Sequence, residues 1–136
     1  MFASTALLAL TLAVTNHAGT VLHGEYSRTT MSHLFLRTES GQERGIPYRA
    51  LPPAERDRVR IAVGAYEPPA CVKALQEHYR GELRRIDLLV AGGGMTPEDA
   101  ARQKAGERAA MTNVLWRLVR ERKLSPAAAR ACAETP

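Results

Sequence analysis

A chain of 136 residues and 14.9 kDa fits one ordinary domain, able to bury roughly two-thirds of its unfolded surface without a metal or a dense disulfide framework. Its 45% apolar and 24% charged residues exclude wholesale disorder, and no apolar run reaches the ~18 residues a spanning helix needs. Lys and Arg exceed Asp and Glu by 19 to 14, for a net charge of +5, which favours anionic partners such as nucleic acid, lipid headgroups or an acidic protein.

Met1–Ala18 reads MFASTALLALTLAVTNHA, with an apolar run at Ala6–Val14 broken only by Thr11. The run is too short to span a bilayer and has the length of a signal-peptide core, with a cut after Ala18 leaving Gly19 as the new N-terminus. Against a leader stand the absence of Lys or Arg before the run and Asn16 three residues before the cut. The other reading is a buried first strand, with Leu8, Leu10 and Leu12 on one face and Asn16–Gly19 as a hairpin turn. The leader reading is preferred, and with it a periplasmic or secreted location; a cytoplasmic chain is the alternative.

Residues 20–50 read as β structure: Thr20–Tyr26 and Met31–Thr38 are rich in strand formers, Glu39–Gln42 makes a turn, and Glu43–Arg49 returns as a partner that Pro47 confines to an edge. From Pro52-Pro53 the periodicity is helical. Val59, Ala62, Val63 and Tyr66 recur at helical spacing. After Glu67-Pro68-Pro69, the residues Cys71, Leu75, Tyr79, Leu83, Ile86 and Val90 form one apolar stripe over about five turns. Gly92-Gly93-Gly94 ends that helix. Thr96-Pro97-Glu98-Asp99 starts a third, with a capping hydroxyl, a proline in the first turn and two carboxylates at the positive dipole end. The third helix should run to about Lys123 on a packing face of Met111, Val114, Leu115, Leu118 and Val119, with Ala101, Ala105 and Ala109 as an edge open to close backbone approach. Ser125-Pro126 starts a short last helix through Cys132. The expected fold class is α+β, mostly α: one domain over 19–136, with a small antiparallel β element at 19–50 followed at 51–136 by an antiparallel array of three long helices and one short helix.

Chemistry-bearing groups are sparse. His23 and Glu25 share a strand face and could hold a metal or act as an acid–base pair with His33, but strand histidines at a sheet edge are commoner, and His17 would leave with the leader. Cys71 and His78 lie seven residues, hence about 10 Å, apart along one helix, too far for direct contact. Ile86–Gly94 would make a phosphate loop only if Ile86–Ala91 were a strand, and it lacks the spacing that makes such loops diagnostic. No cofactor or metal site is expected. Cys71 and Cys132 are candidates for one bridge in an oxidising compartment, worth roughly 4 kcal/mol on the chain-entropy model.

On the third helix Arg102, Asn113, Arg117 and Arg120 project within about 60° of one another at 100° per residue, with Trp116 at the edge of the face. A basic face with one aromatic can dock an acidic protein surface, contact phosphates and stack on a base, or remain a solvated face. The functional expectation is therefore a non-enzymatic protein–protein interaction module that uses this face. A small basic cytoplasmic nucleic-acid-binding protein is the alternative. The oligomeric state is not legible in the sequence.

Overall fold

The computed structural model describes residues 9–136, so Leu8 and the first part of the apolar run lie outside the described residues. The elements are β1 (Thr11–Thr15), β2 (Val21–Thr29), β3 (His33–Arg37), β4 (Glu43–Pro47), a 3-10 turn (Tyr48–Ala50), α1 (Pro53–Ala62), α2 (Ala70–Ala91), α3 (Pro97–Arg120) and α4 (Pro126–Glu134). Four antiparallel strands in the order β1-β2-β3-β4 precede the helices, and with 53% of the described residues in helices and 19% in strands the fold is α+β and mostly α, as expected. Two compact units are distinguished along the chain, one extending to Tyr66 and the other running from Glu67 to Pro136. The boundary falls after α1, which packs with the strands.

In the sheet unit, β structure reaches back before residue 18. Thr11–Thr15 pairs with Val21–Glu25 in register, and Leu12 and Val14 are buried. Leu10, placed on the same face by the alternation, stays exposed. Asn16 turns the chain, its Oδ1 accepting from the N–H groups of Ala18 and Thr20 at 3.0 Å each. One extra residue, Ser27, shifts the β2–β3 register, so that Tyr26 pairs with Leu36 and Arg28 with Phe35. The bulge re-aims the strand: Tyr26 joins the core and Arg28 the outer face. That core is Leu12, Val14, Leu34, Leu36, Tyr48, Leu51 and Val59. Arginines fasten α1 to the strands and turns, Arg58 to the Ala13 carbonyl at 2.6 Å, Arg56 to the Tyr48 carbonyl at 3.2 Å and Arg60 to the Met31 carbonyl at 3.3 Å. These three cations are structural.

In the helical unit α2 and α3 form an antiparallel hairpin and α4 packs on α3. Val72, Gln76, Tyr79 and Ile86 face the core from α2, Ala100, Met111 and Leu115 from α3, and Ala128, Ala129 and Cys132 from α4. The expected stripe holds for Leu75, Tyr79, Leu83, Ile86 and Val90, which are buried or half-buried, but Cys71 is exposed. Val72, one residue on, takes its place in the core, and Gln76 fills the adjoining position because its amide donates to the Cys132 carbonyl at 3.2 Å. The bridge expected between Cys71 and Cys132 is not formed; neither cysteine is in a disulfide, Cys71 being exposed and Cys132 buried. Ala101, Ala105 and Ala109 are exposed.

The helices end where a left-handed residue is available. Past α1 the N–H groups of Gly64 and Ala65 reach the carbonyls of Ile61 and Arg60, and past α2 those of Gly93 and Gly94 reach Val90 and Leu89. This pairing needs a positive φ at the turn residue, and glycine supplies it at Gly64 (73°) and Gly93 (77°). The same closure after α3 puts Arg122 at φ 57°, which stops the helix at Arg120 instead of Lys123. It costs about 1 kcal/mol in a side-chain-bearing residue. Arg122→Gly is therefore expected to stabilise the chain by roughly 0.5–1 kcal/mol, read as a higher urea midpoint with an unchanged slope. A lower midpoint would mean that the Arg122 side chain contributes more than its backbone strain removes. Of the three helices expected to be long, α1 is the exception, with ten residues against 22 and 24 for α2 and α3.

Candidate functional site

Of His23, Glu25 and His33, the structure holds Glu25 and His33 apart. His23 and Glu25 project to the outer sheet face as their alternation requires, both exposed. Glu25 pairs across the ladder with Arg37, at the opposite end of β3 from His33, which puts four residues, about 13 Å, between Glu25 and His33. His33 instead bonds Ser32 through Nδ1 at 2.8 Å and stacks on Phe35. His17 lies exposed in the β1–β2 turn and His78 exposed on α2. Among the described residues no three His, Cys, Asp or Glu side chains gather as a metal site. Ile86–Ala91 is the last turn and a half of α2, so the glycines after it close a helix and do not open a phosphate loop; the start of α3 is capped by Thr96 Oγ1 accepting from Asp99 N–H at 3.2 Å.

The outer sheet face is an internally satisfied cluster. The Arg28 guanidinium lies 3.8 Å from the Phe35 ring centroid and bonds Glu43 at 3.0 Å. Phe35 in turn covers Gly45, where any Cβ would stand 3.0 Å from the ring. An aromatic ring shielding a glycine on the neighbouring strand is a packing device, and with Arg28 on top it leaves no bare platform for a base. Tyr26 and Tyr48 belong to the core side, Tyr48 buried and sharing a hydroxyl contact with Thr29.

The face of α3 is more open. Asn113, Arg117 and Arg120 are exposed and Trp116 is half-buried, all within two turns. Their common orientation follows from spacings of three and four, and the packing face of Met111 and Leu115 turns them outward. Arg102 shares the direction but sits fifteen residues before Arg117, roughly 22 Å along the axis, and pairs with Asp99. Between them Gln103, Ala105, Gly106, Arg108, Ala109, Ala110 and Asn113 are exposed, and of the small ones Ala105, Gly106 and Ala109 fall on the Arg102–Arg117 side at 100° per residue. The five expected residues are therefore one cluster of four and one outlier.

The charge of the cluster is mixed. Arg117 lies 3.9 Å and Lys123 3.1 Å from the Glu121 carboxylate, while Arg120 makes no ion pair among the described residues. Elsewhere Lys104 pairs with Asp87, Arg85 with Glu82 and Lys73 with Glu67, so the net positive charge is dispersed and partly matched. No helix among the described residues is long and apolar enough to cross a membrane. No protein-family description matches the chain, nor does a curated protein or a solved structure.

Proposed function

We propose that the protein acts by binding a partner protein with an acidic surface, and that Asn113, Trp116, Arg117 and Arg120 at the C-terminal end of α3 are the contact. The observation that carries the reading is their gathering within two exposed turns around one half-buried indole. Trp and Arg are the side chains that most often dominate protein interfaces, the ring by desolvated area and the guanidinium by bidentate pairing with carboxylates. On the same side of the helix the exposed Ala105, Gly106 and Ala109 are small enough to let a partner lie close. Glu121 favours protein over nucleic acid, since a carboxylate beside Arg117 and Lys123 weakens the field a phosphate backbone would meet. The periplasmic or secreted location read from the sequence is kept in this proposal only for a chain that retains β1, because Leu12 and Val14 are core residues; a cytoplasmic chain meets the same requirement.

A photo-crosslinking residue at Asn113, in the full chain expressed in its own cells, tests the contact. The expected product is a discrete protein adduct, reduced about tenfold when Arg117→Glu and Arg120→Glu reverse the charge, because like charges across an interface repel. A nucleic-acid adduct that fades steeply with salt would replace this reading with the alternative one. An adduct indifferent to both charge reversals would overturn the role of the arginines.

A further inference from the structure

We propose that the sheet unit carries a second binding site, which takes an extended peptide of a partner protein bearing a carboxylate two residues from a large apolar side chain. This goes beyond the α3 reading and stands on different residues. Although β3 lies between them in the pairing order, the turn end of β1–β2 and the length of β4 line one cavity of about 270 Å³. Its wall is apolar, with Val14, Leu22, Ile46 and Leu51 among the lining residues. An apolar cavity of about 150 Å³ already admits a benzene-sized group, so one leucine or phenylalanine side chain fits.

Two features define the occupant. The first is charge. Arg44 lines the cavity, is exposed and makes no ion pair or hydrogen bond among the described residues, whereas the neighbouring Glu43 is engaged by Arg28 on the other face. A cation without a partner at the rim of an apolar cavity complements a carboxylate attached to an apolar group. The second is the free edge of β4. Tyr48 N–H bonds the Ser32 carbonyl and Thr38 N–H the Gln42 carbonyl, and with the register pairing Phe35 with Gly45 the alternation turns the Gly45 N–H and C=O away from β3. An added strand can bond to them, as sheet edges commonly accept peptides. Arg44 and Ile46 face the inner side two residues apart, opposite Leu36 and Leu34. On a strand laid beside β4, side chains sharing that face are also two residues apart. One meets Arg44 and the other the cavity beside Ile46, which fixes the spacing of carboxylate and apolar group.

The test is amide chemical-shift mapping on the full 15N-labelled chain, titrated to millimolar concentration with acetyl-Gly-Thr-Glu-Thr-Leu-Thr-Gly-amide and with its twin carrying Gln for Glu. The Glu peptide is expected to move Val14, Leu22, Gly45 and Ile46 and to bind roughly fivefold tighter than the Gln peptide, the scale of an exposed ion pair. Arg44→Gln should bring the Glu peptide down to the Gln peptide's affinity and leave the latter unchanged. Absence of shifts at these four residues, or equal affinity of the two peptides, overturns the site without touching the α3 reading. Shifts confined to Asn113–Arg120 would overturn it and assign peptide binding to α3.

Discussion

A chain begun at Gly19 is expected to lose the fold of its sheet unit. The deletion removes the whole of β1, and with it Leu12 and Val14, which are 6% and 2% exposed. Each such side chain contributes about 1.5–3 kcal/mol by burial. The pairing of Thr11–Thr15 with β2 and the bond from Arg58 to the Ala13 carbonyl go as well. The combined loss approaches the roughly 5–15 kcal/mol that holds a small domain together. Hydrogen exchange reads it out: the amides of β2, β3 and β4, protected in the full chain, should exchange at unfolded rates in the shortened one. In the full-length chain, Leu12→Ala with Val14→Ala removes the side chains but keeps the ladder, and should cost about 4 kcal/mol. Equal protection in the full and shortened chains would show that β1 is dispensable to the sheet unit, the condition a cut after Ala18 sets.

What the sequence disclosed follows from how local each signal is. The α3 start was legible because Thr96, Pro97, Glu98 and Asp99 each act on the first turn of the helix they begin, and the hydroxyl–amide bond is formed. The α2 periodicity was legible because one face is buried over five turns, yet it misassigned Cys71, since at a helix end Cys71 and Val72 fit a pattern equally well and the amide of Gln76, a polar side chain in the core, decides which face turns inward. The early strand was legible only as an alternative: Ala6–Val14 has the composition of both a leader and a buried strand, and the pairing of Thr11 with Glu25 that forms the strand spans the turn. The end of α3 was not legible, because nothing in Glu121-Arg122-Lys123 announces a left-handed arginine.

The candidate surfaces divide in the same way. Common orientation along α3 follows from arithmetic, so Asn113, Arg117 and Arg120 were visible as a face. Their isolation from Arg102 depends on axial distance and on ion pairing with Asp99, which angular spacing alone does not weigh. The groove at Arg44 was invisible, since its wall combines residues 14–22 with residues 44–51 and needs the curvature of a sheet to close it. Arg44 carries no pattern in the sequence; its significance is that it lines the cavity and, unlike Arg28, Arg56, Arg58 and Arg60, makes no ion pair or hydrogen bond among the described residues.

In the helical unit, Leu115→Ala should cost about 2–5 kcal/mol, while Leu88→Ala should stay within roughly 0.5 kcal/mol. Both are leucines inside long helices, and the difference lies in their surroundings: Leu115 is completely buried and Leu88 is 73% exposed. Truncating Leu115 opens a cavity that Met111 and the facing helices can only partly close. Leu88 already meets water and loses little. Far-UV circular dichroism through a urea titration separates the two, with a midpoint shift of about 1–3 M for Leu115→Ala at an ordinary slope and almost none for Leu88→Ala. If Leu88→Ala costs as much as Leu115→Ala and the effect grows with protein concentration, a second molecule covers the outward face of α2, and the binding surface of the helical unit must then be drawn around Leu88 as well as Trp116.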